Sequence, residues 1–501
     1  MAAYNYHPAP DHGAKAGVLA YLVTAAAVLL LLMVFGLLMR LEQGELIELG
    51  PNGFYQLMTV HGAGMVGIAG IGGAAVMWHF LGHYVALSAR LLLVNLVLFL
   101  IGVAMVLGSV FLGNFHAAWT FLYPLPSHSM GLWSTGAAAL FLAGMLVIGT
   151  GFLLFHLDIA RALIARYGSF ARALGWPQLF GRDDGNAPPP TVVASAMVTI
   201  VNVVGLVVGA SILAMMLVNL YAPGFAIDPL LAKGMIYFFG HVFINATIYM
   251  AVIAVYEILP RYTRRPWKSN KVFLASWTAS TLMVMFIFPH HLLMDFGFPK
   301  WMLVMGHIIG YLNTVPILVV TGYGALMIVY RSGIRWDMGT RLLFLSMLGW
   351  AAGAMPAFID GTIRVNYVMH NTLWVPGHFH TYLLLGMVSM LFGFMYYLTK
   401  PAKDGAGAAA AESALDRLAY WAYLVGSLGF TLTFLYSGKE SVARRYAEHL
   451  PEWVPYDRIG SLFAALIIAA ALVFVLRFLA RLGHAGSSHM RASVPAGVVA
   501  V

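Results

Sequence analysis

Apolar runs of about twenty residues, the length a helix needs to cross a hydrocarbon core about 30 Å thick, recur along the whole chain. They lie near 17–39, 57–86, 92–113, 129–155, 191–220, 232–259, 272–290, 302–330, 341–359, 375–398, 416–436 and 460–482. The segments between them are short and rich in Gly, Pro and charge. "GWPQLFGRDDGNAPPPT" reads as the longest loop, and "PAKDGAGAAAAES" as a flexible linker. The predicted fold is all-α: a polytopic membrane bundle of about twelve transmembrane helices forming one domain over 1–501. A polar segment, 1–16, precedes it, and a disordered tail is expected from 484 to 501. No internal repeat is visible.

An even number of spans puts both termini on one side. With the N-terminus inside, 20 of the 28 Lys and Arg residues fall in inner segments, among them the cluster Arg261, Arg264, Arg265, Lys268 and Lys271. The positive-inside rule then sets an N-in, C-in orientation in the inner (cytoplasmic) membrane. Composition agrees, with 61% hydrophobic and 9% charged residues, against about 25% charged in soluble domains. The net charge of +9 is thus a matter of topology, with lipid as the partner and no nucleic acid. Zero cysteines exclude disulfides, thiolate-bound clusters and a cysteine nucleophile. The first apolar run is long enough to span, so no cleavable signal peptide is expected.

Eighteen histidines in so apolar a chain change the picture, because ionisable groups inside a bilayer are costly and default to function. Many sit in the termini or near span ends, where an imidazole is unremarkable. Six do not. His61 opens span two in "TVHGAGM", with Gly62 and Gly64 leaving room for something large and flat. His241 begins span six, and His290 and His291 close span seven behind Pro289. His378 and His380, in "VPGHFHTY", start span ten. Positions i and i+2 on a helix point about 200° apart, so these two serve different centres on opposite sides of the helix. All six fall toward the outer third of the bilayer. Neutral imidazole is the commonest biological ligand for iron and copper. The pattern therefore predicts two haems and one further metal. His61 and His380 hold a low-spin haem from both faces, and His378 alone holds a high-spin haem with an open face. His241, His290 and His291 hold a non-haem iron or copper opposite it.

Those segments, "HGAGM", "GHVFIN", "HH", "GHFH" and the pair Arg444-Arg445, resemble the catalytic subunit I of the haem-copper oxidoreductase superfamily over essentially the whole chain. "YVMHNTLWVPGHFH" looks most like its B-type branch. The resemblance implies that Arg444 and Arg445 hold haem propionates and that His370 lies near those of the high-spin haem. It implies a small diatomic substrate, NO or O2. Electrons would come from a second subunit with a di-copper or cytochrome c domain, or from quinol.

The departures from the family pattern bear on the substrate. Oxygen-reducing A- and B-type members carry, four residues after the span-six histidine, a tyrosine cross-linked to it, and nitric oxide reductases carry a glutamate. This chain has Asn245, which has no redox chemistry. No tyrosine is near His290 and His291 in span seven. Ile317 and Val320 replace hydroxyl residues of the B-type proton channel, although Tyr256 remains, and Asn366 stands where B-type pumps have an acid. Glu257 beside Tyr256 reads either as the inner mouth of a proton path or as a simple span-end charge. Asp295, Asn313 and Thr314 line a polar outer route, and His307 reads as a hydrogen-bonded core residue. These substitutions favour a nitric oxide reductase, with Asn245, His241, His290, His291 and His378 as its catalytic set. The alternative is a cytochrome c or quinol terminal oxidase reducing O2 to water.

Overall fold

The computed structural model describes residues 12–182, 187–400 and 412–492. Twelve helices among the described residues are long and apolar enough to cross a membrane: α1 (Lys15–Gln43), α2 (Gly50–Leu81), α3 (Ala89–Leu112), α4 (Thr135–Tyr167), α5 (Pro190–Tyr221), α6 (Pro229–Thr263), α7 (Lys271–Leu292), α8 (Lys300–Val329), α9 (Met338–Gly361), α10 (Trp374–Leu398), α11 (Ala414–Lys439) and α12 (Val454–Leu482). No strand occurs among the described residues.

Every expected span has its helix, but several run past the apolar segment. The helix of span two starts at Gly50, and that of span four continues to Tyr167. Local signals set these ends. Ser134 accepts a hydrogen bond from the Ala137 N–H at one end of α4, and Gly168, at φ +80, closes the other in a left-handed turn. The loop between α4 and α5 holds a helical turn at Trp176–Leu179. The expected disordered tail differs too. The final helix continues through Ala492, because extending an existing helix costs far less than nucleating one. The polar N-terminal segment up to residue 11, most of the "PAKDGAGAAAAES" linker and the end of the tail lie outside the described residues.

Three helices form the interior. The apolar windows of α2, α6 and α10 are 78, 78 and 83% buried, against 29–56% for the other nine. These three carry His61, His241, His378 and His380. Two departures from α-helical geometry flank the histidines. Pro289 lacks the N–H that a further α turn would use, and Phe288–Leu292 winds as a 3-10 turn around His290 and His291. Thr381–Val388, directly after His380, is π-helical, a departure often found at functional sites.

Candidate functional site

One cavity of about 570 Å³ runs between the helices, and all six histidines line it, together with Asn245, His370, Arg444 and Arg445. Its two halves are divided by α10. On one side, the rings of His61 and His380 face each other with centroids 6.4 Å apart and planes 18° apart. Two metal–nitrogen bonds of about 2 Å plus two half-rings give roughly 6 Å, so the pair is spaced for one metal between them. The tautomer is set as well. His61 Nδ1 lies 2.8 Å from the Leu32 carbonyl and His380 Nδ1 2.6 Å from that of Pro376. A carbonyl only accepts, so each Nδ1 carries the proton and each Nε2 lone pair is free. The room expected beside Gly62 and Gly64 is taken by protein. A Cβ on Gly62 would lie 2.1 Å from the Trp119 indole, and one on Gly64 2.6 Å from Leu32. The large flat group against this helix is an indole brought in by tertiary folding.

On the other side, His241, His290 and His291 bring one ligand atom each to within 4.8 Å of one another. Three nitrogens around one ion at about 2 Å stand roughly 3.3 to 4 Å apart, so the group fits a metal with a small contraction. His290 Nδ1 donates to the Ile287 carbonyl at 2.5 Å, which again frees Nε2. Asn245 engages the His241 ring, its Nδ2 standing 2.8 Å from Nδ1. In that orientation the amide donates and Nε2 holds the proton. Turning the amide over presents Oδ1 instead and gives His241 the tautomer of the others. Asn245 thus acts on the ligand's ring. His378 faces this half, with its Nδ1 2.8 Å from Asp360 Oδ2 at the end of α9.

Two tyrosines enter the same half. Tyr237, one turn before His241 on α6, has its ring 6.1 Å from that of His291, and Tyr382 lies 5.6 Å from His378. The expectation that no tyrosine stands near the span-seven histidines holds only along span seven itself. A neighbouring helix supplies Tyr237, and spacing within span seven carries no sign of that. Tyr249 also lines the cavity, packed between Trp277 and Trp350 at 5.7 Å from each.

Above both halves, the loop with Arg444 and Arg445 is pinned to 370–374 by an antiparallel bridge between Thr372 and Ala443 and by Leu373 N–H to the Val442 carbonyl. Burial and the neighbouring Arg445 lower the Arg444 guanidinium to about 10. Burial, then Arg444 and Arg445, lower the His370 imidazole to about 4. Two cations and a neutral ring with a buried, unpartnered Arg444 Nε make a seat for carboxylates. The donor set therefore fits two haems and one further metal.

The other predicted residues scatter. Tyr256 bonds Thr321 of α8 at 2.7 Å, a hydroxyl one residue after Val320; the Ile317 side chain lies outside the described residues. Glu257 points elsewhere, to Tyr84 at 2.9 Å and to Thr191, so the two neighbours on α6 do not share one route. Asp295 pairs with Lys233, Ser280 donates to Asn313 at 3.0 Å, and Thr314 bonds its own helix at Gly310, so these three do not form one polar route. His307 donates to the Gly361 carbonyl at 2.6 Å, with its ring 6.0 Å from His290. Asn366 accepts from His370 Nδ1 at 3.2 Å. Asp360 was missed because it falls one residue past the apolar run 341–359, although helix α9 continues through it.

The model of the family described as cytochrome c and quinol oxidase polypeptide I matches residues 16–470. Among curated proteins, cytochrome c oxidase subunit 1 of Thermus thermophilus is 24% identical over 269 residues, covering 50% of this chain and 48% of that protein. The haem-copper oxidase subunit I+III of Aeropyrum pernix is 23% identical over 514 residues, covering 97% and 58%. The matches thus span about half the length of these relatives. Among solved structures, a haem-copper terminal oxidase dimer matches with a TM-score of 0.76 at 18% identity, over 94% of this chain and 84% of that one.

Proposed function

The chain belongs to the cytochrome c and quinol oxidase polypeptide I family, the haem-copper oxidase subunit I fold, and from that premise we propose that it is the catalytic subunit of a respiratory terminal oxidase reducing O2 to water. The observation that carries the reading is the convergence of His241, His290 and His291 opposite His378 in one cavity with the His61–His380 pair. His61 and His380 would hold a low-spin haem for electron entry, His378 a high-spin haem, and the triad a copper or iron. Arg444, Arg445 and His370 would receive the propionates. Bound there, these groups supply redox-active iron and an open coordination site for a diatomic ligand.

The protein's own residues orient and supply. Main-chain carbonyls fix the ring tautomers of His61, His290 and His380, α10 separates the two centres by sending His378 and His380 to opposite sides, and the apolar wall around Trp350 and Ile248 limits water. Reducing O2 to two waters takes four electrons and four protons. Tyr237, 6.1 Å from His291, offers the phenol that Asn245 cannot, giving one electron and one proton from its O–H. The polar contacts Tyr256–Thr321 and Ser280–Asn313 support proton entry from the inner side. In this orientation the termini are inside and the metal centre lies toward the outer face, with electrons arriving from a second subunit or quinol.

A second reading, reduction of two NO with two electrons and two protons to N2O and water, is favoured by Asn245, since that chemistry needs no phenol. The names of the relatives and the nearness of Tyr237 support the oxidase reading over it. Turnover of the purified complex with an artificial donor separates the two readings, with O2 and NO consumption and metal content read on one sample. We expect O2 consumption with one copper per complex, falling at least tenfold in Tyr237→Phe with both haem spectra intact. Fast NO loss with N2O appearing, and iron in excess of haem, would reverse the order.

A further inference from the structure

We infer that Asp360 is a positioning residue for the high-spin haem. By accepting the Nδ1 proton of His378, it makes that imidazole an unusually strong, fixed donor to iron. The inference rests on the reading of His378 as a haem ligand and goes beyond it.

The histidines lining the cavity provide an internal comparison. His61, His290, His307 and His380 each give Nδ1–H to a main-chain carbonyl, those of Leu32, Ile287, Gly361 and Pro376. A carbonyl suffices to set a tautomer and adds no charge to the bilayer. His378 alone among the cavity histidines faces a carboxylate, at 2.8 Å. Asp360 is 8% exposed and occupies the penultimate residue of α9. A buried carboxylate in an apolar span is costly, and the C-terminal end of a helix, where the macrodipole is negative, disfavours it further. A residue held against both costs needs a compensating partner, and the one hydrogen bond its carboxylate makes among the described residues is to His378.

The geometry around Asp360 is stiff. Its own carbonyl accepts from Asn366 Nδ2 at 2.7 Å, the next carbonyl, of Gly361, accepts from His307, and Trp374 Nε1 ties α10 back to Pro356 of α9 at 3.1 Å. Both partners are thus fixed on elements joined directly to each other. A carboxylate accepting the ring N–H of a ligating histidine raises its basicity. A more electron-rich proximal ligand favours ferric over ferrous iron and pushes density toward a bound diatomic, as an anionic thiolate does in other haem proteins. The two haems would therefore differ in potential by design: carbonyl-supported ligands on the electron-entry haem, and a carboxylate-supported ligand where the bond is cleaved.

The test is spectroscopic. In Asp360→Asn the amide still fits and still accepts a hydrogen bond, but the charge is gone. We expect the iron–histidine stretch of the reduced high-spin haem to drop. The ferric preference should fall about tenfold, a rise of about 59 mV in the one-electron midpoint potential. The low-spin spectrum and haem content should be unchanged, and Asp360→Glu should restore both values toward the parent. Haem retained in Asp360→Asn with stretch and potential unchanged would overturn the inference, as would loss of the high-spin haem from both Asp360→Asn and Asp360→Glu, which would mark a purely structural role. His378→Ala is the separate control: a five-coordinate high-spin haem persisting there means the ligand reading has failed.

Discussion

At the scale of single residues, His61 and His380 illustrate how little freedom the site leaves. Each ring has one nitrogen committed to a main-chain carbonyl and the other turned toward its partner across 6.4 Å. His380 is held further by Phe434, stacked at 5.3 Å and 11°. His380→Ala removes one of two axial ligands without touching the other half of the cavity. The expected result is loss of the low-spin haem absorption with the high-spin site partly formed. A six-coordinate low-spin signal surviving in that variant would count against the pairing. Asn245 is placed beside the triad in the same way: one end of its amide contacts the His241 ring, and the residue lines the cavity.

At the scale of elements, the decisive geometry lies where helices depart from regularity or approach closely. Adjacent histidines on an α-helix diverge by about 100°. The 3-10 turn behind Pro289 instead leaves the His290 and His291 ring centroids 4.1 Å apart, each 4.8 Å from His241. Helix α8 braces that turn from behind at Gly306, where a Cβ would lie 2.5 Å from His290 N and 2.9 Å from Pro289 C. Backbone cannot yield as a side-chain tip can, so Gly306→Ala must push α8 and the turn apart at a cost of about 1–3 kcal/mol. We expect the purified variant to lose most of its non-haem metal while keeping the low-spin haem spectrum, measured by elemental analysis and absorption on one sample. Equal metal content would mean the turn is held by other contacts.

At the scale of the whole molecule, the interior position of α2, α6 and α10 gathers the ligands, and the distribution of Lys and Arg predicts which end of the bundle faces inward. The cysteine-free chain allows a clean check. Single cysteines at two exposed positions, in the variants Lys268→Cys and Glu452→Cys, should react with a membrane-impermeant thiol reagent from opposite sides, the first only in inverted vesicles and the second only in intact cells. The reverse pattern would turn the topology over. What the sequence by itself determined was whatever is local or periodic: twelve spans, from the length of apolar runs; the expensive histidines, from their presence in those runs; and the division of His378 from His380, from the helical repeat. Helix ends slipped by several residues because capping and left-handed glycines set them, and hydropathy does not see those. Only the tertiary structure decided which side chains from distant spans meet. It placed the Trp119 indole against Gly62, Tyr237 beside His291, Thr321 on Tyr256 and Asp360 under His378. Each of these pairs joins different helices or a helix and a loop, so its geometry depends on how the elements pack, and spacing along one chain carries no record of that.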